Sequence, residues 1–158
     1  MNGLLIAAAV VLAVVVIALL VTAPLMKRAE QAAVDRATEL VGGSAEVRRI
    51  EHRAVGFGTE PEDAGGLRGM GVLAASADQL VFVTWRPMAE HVIDRATVTT
   101  IDTATADVAD ANKAMIEVTS TIDGHEVVSS FRVPEPVDWL DELGYDWGPE
   151  GRPALDEA

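Results

Sequence analysis

The sequence contains no cysteine among its 158 residues. This absence excludes a disulfide framework, a thiolate metal site and a cysteine nucleophile, so the folded part must be stabilised by its apolar core alone. Basic residues are also scarce, with 12 Lys and Arg against 25 Asp and Glu. Because such an excess of negative charge repels nucleic acid at long range, we predict no nucleic-acid partner.

Motifs for catalysis and cofactor binding are missing as well. The glycines of residues 65–71 are not followed by a Gly-Lys-Ser/Thr motif, and no serine lies in a nucleophile-elbow context. Asp141 and Glu142 are adjacent, so on a helix they would diverge rather than act as an acid and base pair. The histidines are scattered without metal-ligand spacing: His52, His91 and His125. We therefore predict a protein that is not an enzyme and holds no cofactor or metal.

A long apolar run lies at the amino terminus, where residues 4–26 contain no charged side chain. As a helix this run would reach roughly 34 Å, enough for a hydrocarbon core of about 30 Å, and we predict that residues 1–26 form a transmembrane helix. A cleaved signal peptide is the alternative, because "VTA" at residues 21–23 resembles a cleavage site. Against it, no basic residue precedes the run, which is longer than the apolar part of a usual signal.

Basic residues follow this run at once, at Lys27 and Arg28, whereas none precedes it. By the positive-inside rule the amino terminus should face out and the rest of the chain the cytoplasm. We therefore predict a single-pass protein of the cell membrane.

The next segment, residues 27–43, is predicted to continue the helix as a stalk that ends at two glycines. Its apolar positions form only a thin stripe: Ala33, Ala37, Leu40 and Val41. The stripe has two interpretations, a solvated continuation of the span or a weak dimerisation seam. The second is the only indication of a homo-oligomer.

Residues 44–144 are rich in β-branched residues and turns, which predicts a mainly β domain of six or seven strands. "AEVRRIEHRAVGF" is a first strand, and residues 56–69 form a turn-rich loop with three acids. "GMGVLAASADQLVFVTWRP", residues 69–87, predicts a β-hairpin, whose glycines we interpret as flexible strand starts or a bulge. In the following segment Ile93, Val98 and Ile101 are predicted to point inward.

The clearest local signal is Asp123-Gly124, a two-residue turn between two alternating runs. The turn would pair Ile122 with His125, and Ile116 with Phe131. One face of this hairpin is predicted to be buried. Its members are Ile116, Val118, Ile122, Val127 and Phe131.

A short helix is predicted after the prolines at residues 134 and 136, with apolar positions Val137, Trp139, Leu140 and Leu143 before Gly144. Residues 145–158 carry acids, Pro and Gly without apolar periodicity, which predicts a disordered acidic tail. Tyr145 and Trp147 within it are candidates for a partner-contact surface, since aromatic residues are enriched at interfaces. Their alternative is to pack back onto the domain.

Several of these stretches together resemble the membrane-anchored PH-like (GRAM-like) domain proteins of high-GC, actinobacterial-type bacteria. The matching stretches are "GMGVLAASADQLVF", "WRP", "VIDRATVTTID" and "FRVPEPVDWLDEL", within residues 45–144. The resemblance implies an antiparallel β-barrel whose open end is closed by one C-terminal helix. PH-like domains bind lipids, bind peptides or act as scaffolds, so the resemblance does not fix the function.

The lipid-binding members present several basic residues in the loop between their first two strands. Here the matching loop holds Glu60, Glu62 and Asp63 against Arg68 alone, which disfavours that route. We therefore expect a protein-docking or scaffolding module on an integral membrane anchor. The alternatives are an accessory subunit of a membrane complex and the sensing of anionic lipid. The candidate lipid contacts are Lys27, Arg28, Arg48, Arg49 and Arg53.

Overall fold

The structure is a computed structural model that describes residues 2–103 and 115–148, with the side chains of residues 2–11 and 13–21 outside the description. Two helices and seven strands make up the described part. The helices are α1 (Asn2–Leu40) and α2 (Pro136–Leu143). The strands are β1 (Arg49–Glu60), β2 (Arg68–Ala75), β3 (Gln79–Thr84), β4 (Glu90–Asp94), β5 (Val98–Thr103), β6 (Met115–Ile122) and β7 (His125–Arg132).

All seven strands belong to one antiparallel sheet in the order β4-β3-β2-β1-β7-β6-β5. This confirms the prediction of a mainly β domain with six or seven strands followed by a helix. The sheet is open, since no ladder joins β4 to β5 among the described strands. The predicted closure of the strands into a barrel is therefore wrong for this part of the chain.

The sheet is nevertheless strongly curled, because its two edge strands are neighbours in sequence. Seven strands laid flat would place the edges roughly 29 Å apart. Only a short 3₁₀ turn, Arg95–Thr97, connects β4 to β5, and the four peptide steps across it reach at most about 15 Å. Two irregularities in the pairing of β1, between Glu51 and Ala54 and between Gly56 and Thr59, bend the strand that both halves share.

The main core lies inside this curl, and α2 covers one of its ends. Phe82 and Phe131 lie at its centre with ring centroids 5.4 Å apart. Gly56 and Gly71 make room for Phe82, since a Cβ on either glycine would meet its ring. From α2, Trp139 is fully buried in the same cluster, as predicted.

The Asp123-Gly124 turn joins β6 to β7 with both residues at positive φ, and the observed register is the predicted one. Four of the five residues predicted to be buried are buried, but Ile122 is 38% exposed. The prediction fails there because Ile122 pairs with the exposed His125 at the free end of the hairpin.

Both strands at the acidic loop are longer than predicted. β1 continues to Glu60 and β2 begins at Arg68, so the connection shrinks to residues 61–67 with one 3₁₀ turn, Glu62–Ala64. The single base of the predicted loop, Arg68, is paired with Glu62 at 2.6 Å.

A second apolar cluster lies on the outside of the sheet, where α1 packs against β2 and β3. Ala33, Ala37 and Val41 are buried against the outer face of the hairpin, and Leu40 is partly buried beside them. Arg36 on the same helix is paired with Glu90 of β4 at 3.0 Å. The predicted stripe therefore exists, but it covers the chain's own sheet, and neither the solvated interpretation nor the dimer seam describes it.

No helix within the described part of the chain has a stretch that is both long and apolar enough to cross a membrane. The predicted span of residues 4–26 lies largely on positions whose side chains are outside the description.

Candidate functional site

A groove with a volume of about 460 Å³ lies between the edge strand β5 and the end of α2. Its lining comes from five parts of the chain. The lining residues are Leu80, Arg95, Val98, Thr99, Thr100, Ile101, Val118, Leu143, Gly144, Tyr145 and Asp146.

The floor of the groove is apolar because Val98 and Ile101 both face inward, and the irregularity in the β5–β6 pairing between Val98 and Thr100 allows residues three positions apart to share that face. Leu80 and Val118 are buried, and Val98 and Ile101 are half-buried. The predicted inward positions Ile93, Val98 and Ile101 are confirmed by their contact with the main core. One wall is the backbone of β5, which pairs with β6 on one side and with no described strand on the other.

Arg95 fixes the opposite wall. Its guanidinium donates to the carbonyl oxygen of Ser76 at 2.7 Å, to the Glu142 carboxylate at 3.1 Å and to the Glu142 carbonyl oxygen at 2.8 Å. The last bond satisfies a carbonyl at the C-terminal end of α2, where Gly144 adopts the left-handed conformation that ends the helix. Arg95 thereby ties the β2–β3 turn, the β4–β5 connection and α2 into one rigid wall.

The aromatic pair beyond α2 closes one end of the groove. Tyr145 lines the groove, and its ring meets that of Trp147 edge-on with centroids 4.9 Å apart. The Trp147 indole Nε1 donates to the Asp141 carboxylate at 2.7 Å. Both rings pack against the main core, which was the alternative weighed for them. The predicted disordered tail begins with these packed residues, and its remainder, residues 149–158, lies outside the described residues.

The five basic residues proposed for lipid contact are not brought together. Arg49 is paired with Glu135 at 2.7 Å and with Asp138 at 3.4 Å, and its guanidinium lies over the Trp139 ring. Arg48 is exposed nearby, with its backbone N–H bonded to the Ala75 carbonyl. The other three are exposed, Lys27 and Arg28 on α1 and Arg53 at the β1 irregularity. This irregularity lies beside α1, since His52 Nδ1 is 3.6 Å from the Glu30 carboxylate.

The histidines are equally separate, and no cluster of metal-ligating side chains occurs in the part of the chain that the structure describes. His125 is exposed at the start of β7, as predicted. His91 is buried inside the curl, with its Nε2 3.0 Å from Ser129 Oγ. Burial lowers the pKa of the His91 imidazole below its usual value.

Sequence reasoning identified the apolar floor but missed Arg95 and the groove itself. Nothing near Arg95 in sequence marks it, since its partner Glu142 is 47 positions away. The lining carries the hydroxyl groups of Thr99 and Thr100, and neither has an imidazole beside it within the lining set. The Thr99 hydroxyl donates to the carbonyl oxygen of Thr119 at 3.4 Å. The groups present are suited to binding a chain segment: a strand edge that pairs with no other described strand, an apolar floor and a fixed charged wall.

Compared with models of protein families, with curated proteins and with solved structures, this chain matches none.

Proposed function

We propose that this chain is a single-pass membrane protein whose PH-like domain docks an extended segment of another protein at the cytoplasmic face. One observation carries the proposal, the groove of about 460 Å³ beside the edge of β5 that pairs with no strand in the described part of the chain. An extended peptide laid along such an edge continues the sheet through main-chain hydrogen bonds, and alternate side chains enter the groove.

The groove itself indicates what the segment must offer. Its floor is formed by Leu80, Val98 and Ile101, so the segment needs an apolar side chain where it crosses the end of α2. Arg95 is already bonded to Ser76 and Glu142, so it shapes the wall and is not offered to a ligand carboxylate. Recognition would therefore depend on backbone pairing and apolar contact.

The membrane anchor supports docking rather than capture from solution. The uncharged run of residues 4–26, followed by Lys27 and Arg28, favours a span with the domain in the cytoplasm. A domain confined to the membrane meets membrane-bound partners at raised effective concentration, so each contact can be weak.

Sensing of anionic lipid has less support as the main function. Arg49, the central residue of the basic cluster, is already neutralised by Glu135 and Asp138. A paired guanidinium would have to leave these carboxylates before it could bind a phosphate.

Photo-crosslinking in the native membrane tests the proposal with the full-length chain. A photoreactive phenylalanine replaces Asp146, an exposed residue at the rim of the groove. We expect a discrete crosslinked adduct. Filling the groove with Thr100→Trp should reduce its yield roughly tenfold, because the loss of an apolar anchor costs at least about 1.4 kcal/mol.

The matched control is Glu60→Trp, which places the same ring at an exposed position at the end of β1, a strand separated from β5 by β7 and β6. It should leave the adduct unchanged. An adduct that survives Thr100→Trp, or no adduct at all, would show that the groove is not where a partner docks.

A further inference from the structure

Three of the five methionines lie at one end of the α1–sheet interface. Met26 belongs to α1, Met70 to β2, and Met88 to the turn between β3 and β4. Met26 and Met70 line a small cavity with Trp85 and Arg86, and Met88 follows on the same turn. We call these five residues the methionine patch.

The methionine patch is strongly exposed for apolar side chains. Met26 is 51% exposed, Met70 47% and Met88 58%. α1, β2 and the β3–β4 turn all contribute to the cavity, so the patch is a property of the fold rather than of one local run. Converging exposed apolar residues beside charged ones indicate a surface that something covers.

The position of the patch along α1 indicates what covers it. The helix runs along the β2–β3 hairpin, with Met26 and Ala29 beside Trp85 at one end and Val41 beside Ser76 and Gln79 at the other. Between Ala29 and Val41 the helix rises roughly 18 Å. The patch therefore lies at the end where α1 continues into the uncharged run.

Contact between the sheet and the beginning of the uncharged run is direct. The Arg86 guanidinium donates to the carbonyl oxygen of Leu25 at 3.4 Å, and Leu25 is one residue before the end of the run. Residues that lie level with the end of a membrane span lie at the headgroup layer. Arg86 is exposed at this level, where a long basic side chain can reach the headgroups. Trp85 packs against the α1–sheet cluster with its indole nitrogen buried, so it supports the patch from below.

We propose that the methionine patch contacts the bilayer interface and holds the β domain in one orientation on the membrane. This inference rests on the proposed membrane span of residues 4–26. Its consequence for docking is that Arg95, bonded to Ser76 at the far end of the hairpin, holds its groove away from the lipid. The groove would then stay open to a partner in the cytoplasm.

The contact is apolar rather than a site for a charged headgroup. Arg86 is the single charged member of the patch. Lys27 and Arg28, which follow Met26 on α1 and are exposed, would add attraction to anionic lipid without being needed for the apolar contact. We therefore expect the contact to form on neutral phosphatidylcholine and to need no phosphatidylglycerol. A contact that appeared only with phosphatidylglycerol would contradict this inference.

Spin labelling of the full-length protein in vesicles tests the proposal, and the absence of native cysteines allows one label at a time. The test positions are Met88→Cys and Met70→Cys. The water control is Asp78→Cys, an exposed residue of the β2–β3 turn at the far end of the hairpin. The span control is Leu12→Cys, within the uncharged run. Accessibility to oxygen reports lipid, and accessibility to a charged nickel reagent reports water.

We expect labels at Met88 and Met70 to be several-fold more accessible to oxygen than to nickel, and the label at Asp78 to show the reverse. If Leu12 is in lipid while Met88 and Met70 are in water, the inference is wrong and the membrane span stands. Labels at the patch that are shielded from both reagents would mean that protein covers it, which also overturns the inference. If the Leu12 label is itself in water, the proposed span fails.

Discussion

The two faces of the β2–β3 hairpin are both buried, but by different helices and by side chains of different size. The inner face carries Leu73, Leu80 and Phe82 into a core that α2 completes. The outer face carries alanine and valine towards α1, which meets them with Ala33 and Ala37 and, near its end, with Leu40 and Val41. Small side chains on both partners let a helix lie close to the sheet, whereas the curled interior needs large ones to be filled.

The two clusters therefore have different roles: the inner cluster stabilises the folded sheet, and the outer cluster holds the sheet against α1. The inner cluster joins six strands with α2, so its loss should unfold the sheet. The outer cluster joins the sheet only to α1, a helix whose backbone hydrogen bonds are satisfied within itself. Its loss should release the helix and leave the sheet folded.

The largest effect is expected from Phe82→Ala on the inner face. Phe82 is fully buried against Phe131, and its removal leaves a cavity that the surrounding strands cannot close, costing about 3–5 kcal/mol. Urea unfolding of the full-length protein in detergent micelles, followed by tryptophan fluorescence, measures the loss.

Its neighbour Val83 is the matched control, because it points to the outer face and is equally buried. Val83→Ala should cost about 2 kcal/mol. If both variants lost the same unfolding free energy, the inner face would not be the main source of the stability of the sheet.

Ala37→Asp should break the outer face without unfolding the sheet. An unpaired carboxylate between α1 and Val83 is costly, so the helix is expected to move off the sheet and hydrate the charge. Spin labels on Asp35→Cys and Asp94→Cys, both exposed, report the distance between the helix and the sheet. We expect one narrow distance distribution in the parent and a broad one in the variant.

Ala32→Asp provides the control, since Ala32 lies on the same helix and is exposed. It should keep the narrow distribution of the parent. A narrow distribution in Ala37→Asp as well would mean that α1 stays in place without its outer cluster.

The β6–β7 hairpin was predictable in detail because two independent signals agree on it. Asp123-Gly124 fixes the turn, and the alternation of Ile116 and Val118 with polar residues fixes the buried face. The short helix α2 was predictable for a similar reason, since its apolar spacing and its terminal glycine coincide. Local signals of this kind require no knowledge of distant partners.

The docking of α1 was missed although the sequence carries a sign of it. In β2 and β3 the buried residues run continuously from Gly71 to Ala75 and from Leu80 to Thr84, without the alternation seen in β6. A strand covered on both faces has this pattern. The stripe at Ala33 and Ala37 was recognised, but joining it to these strands needs the path of the chain, which no local pattern gives.

The groove could not be predicted from the sequence. Its apolar floor was predicted from Val98 and Ile101, but its shape depends on the irregularity in β5, on the curl of the sheet and on Arg95, which is bonded to Ser76 and Glu142. Side chains that act through distant partners carry no signal in the residues beside them.

The smallest effect is expected from His91, a polar residue that is buried on the inner side of the curled sheet. Burial lowers the pKa of its imidazole, so the unfolded chain binds the proton more readily than the folded one. Stability is therefore unaffected above pH about 6.5 and decreases as the pH falls below it, by no more than about 1.4 kcal/mol per pH unit for one proton.

His91→Gln should flatten this part of the profile of unfolding free energy against pH. His125→Gln, at an exposed position, should leave it unchanged. If the unfolding free energy of His91→Gln still decreased with the same slope below pH about 6.5, the proton would bind to another group and His91 would not be responsible.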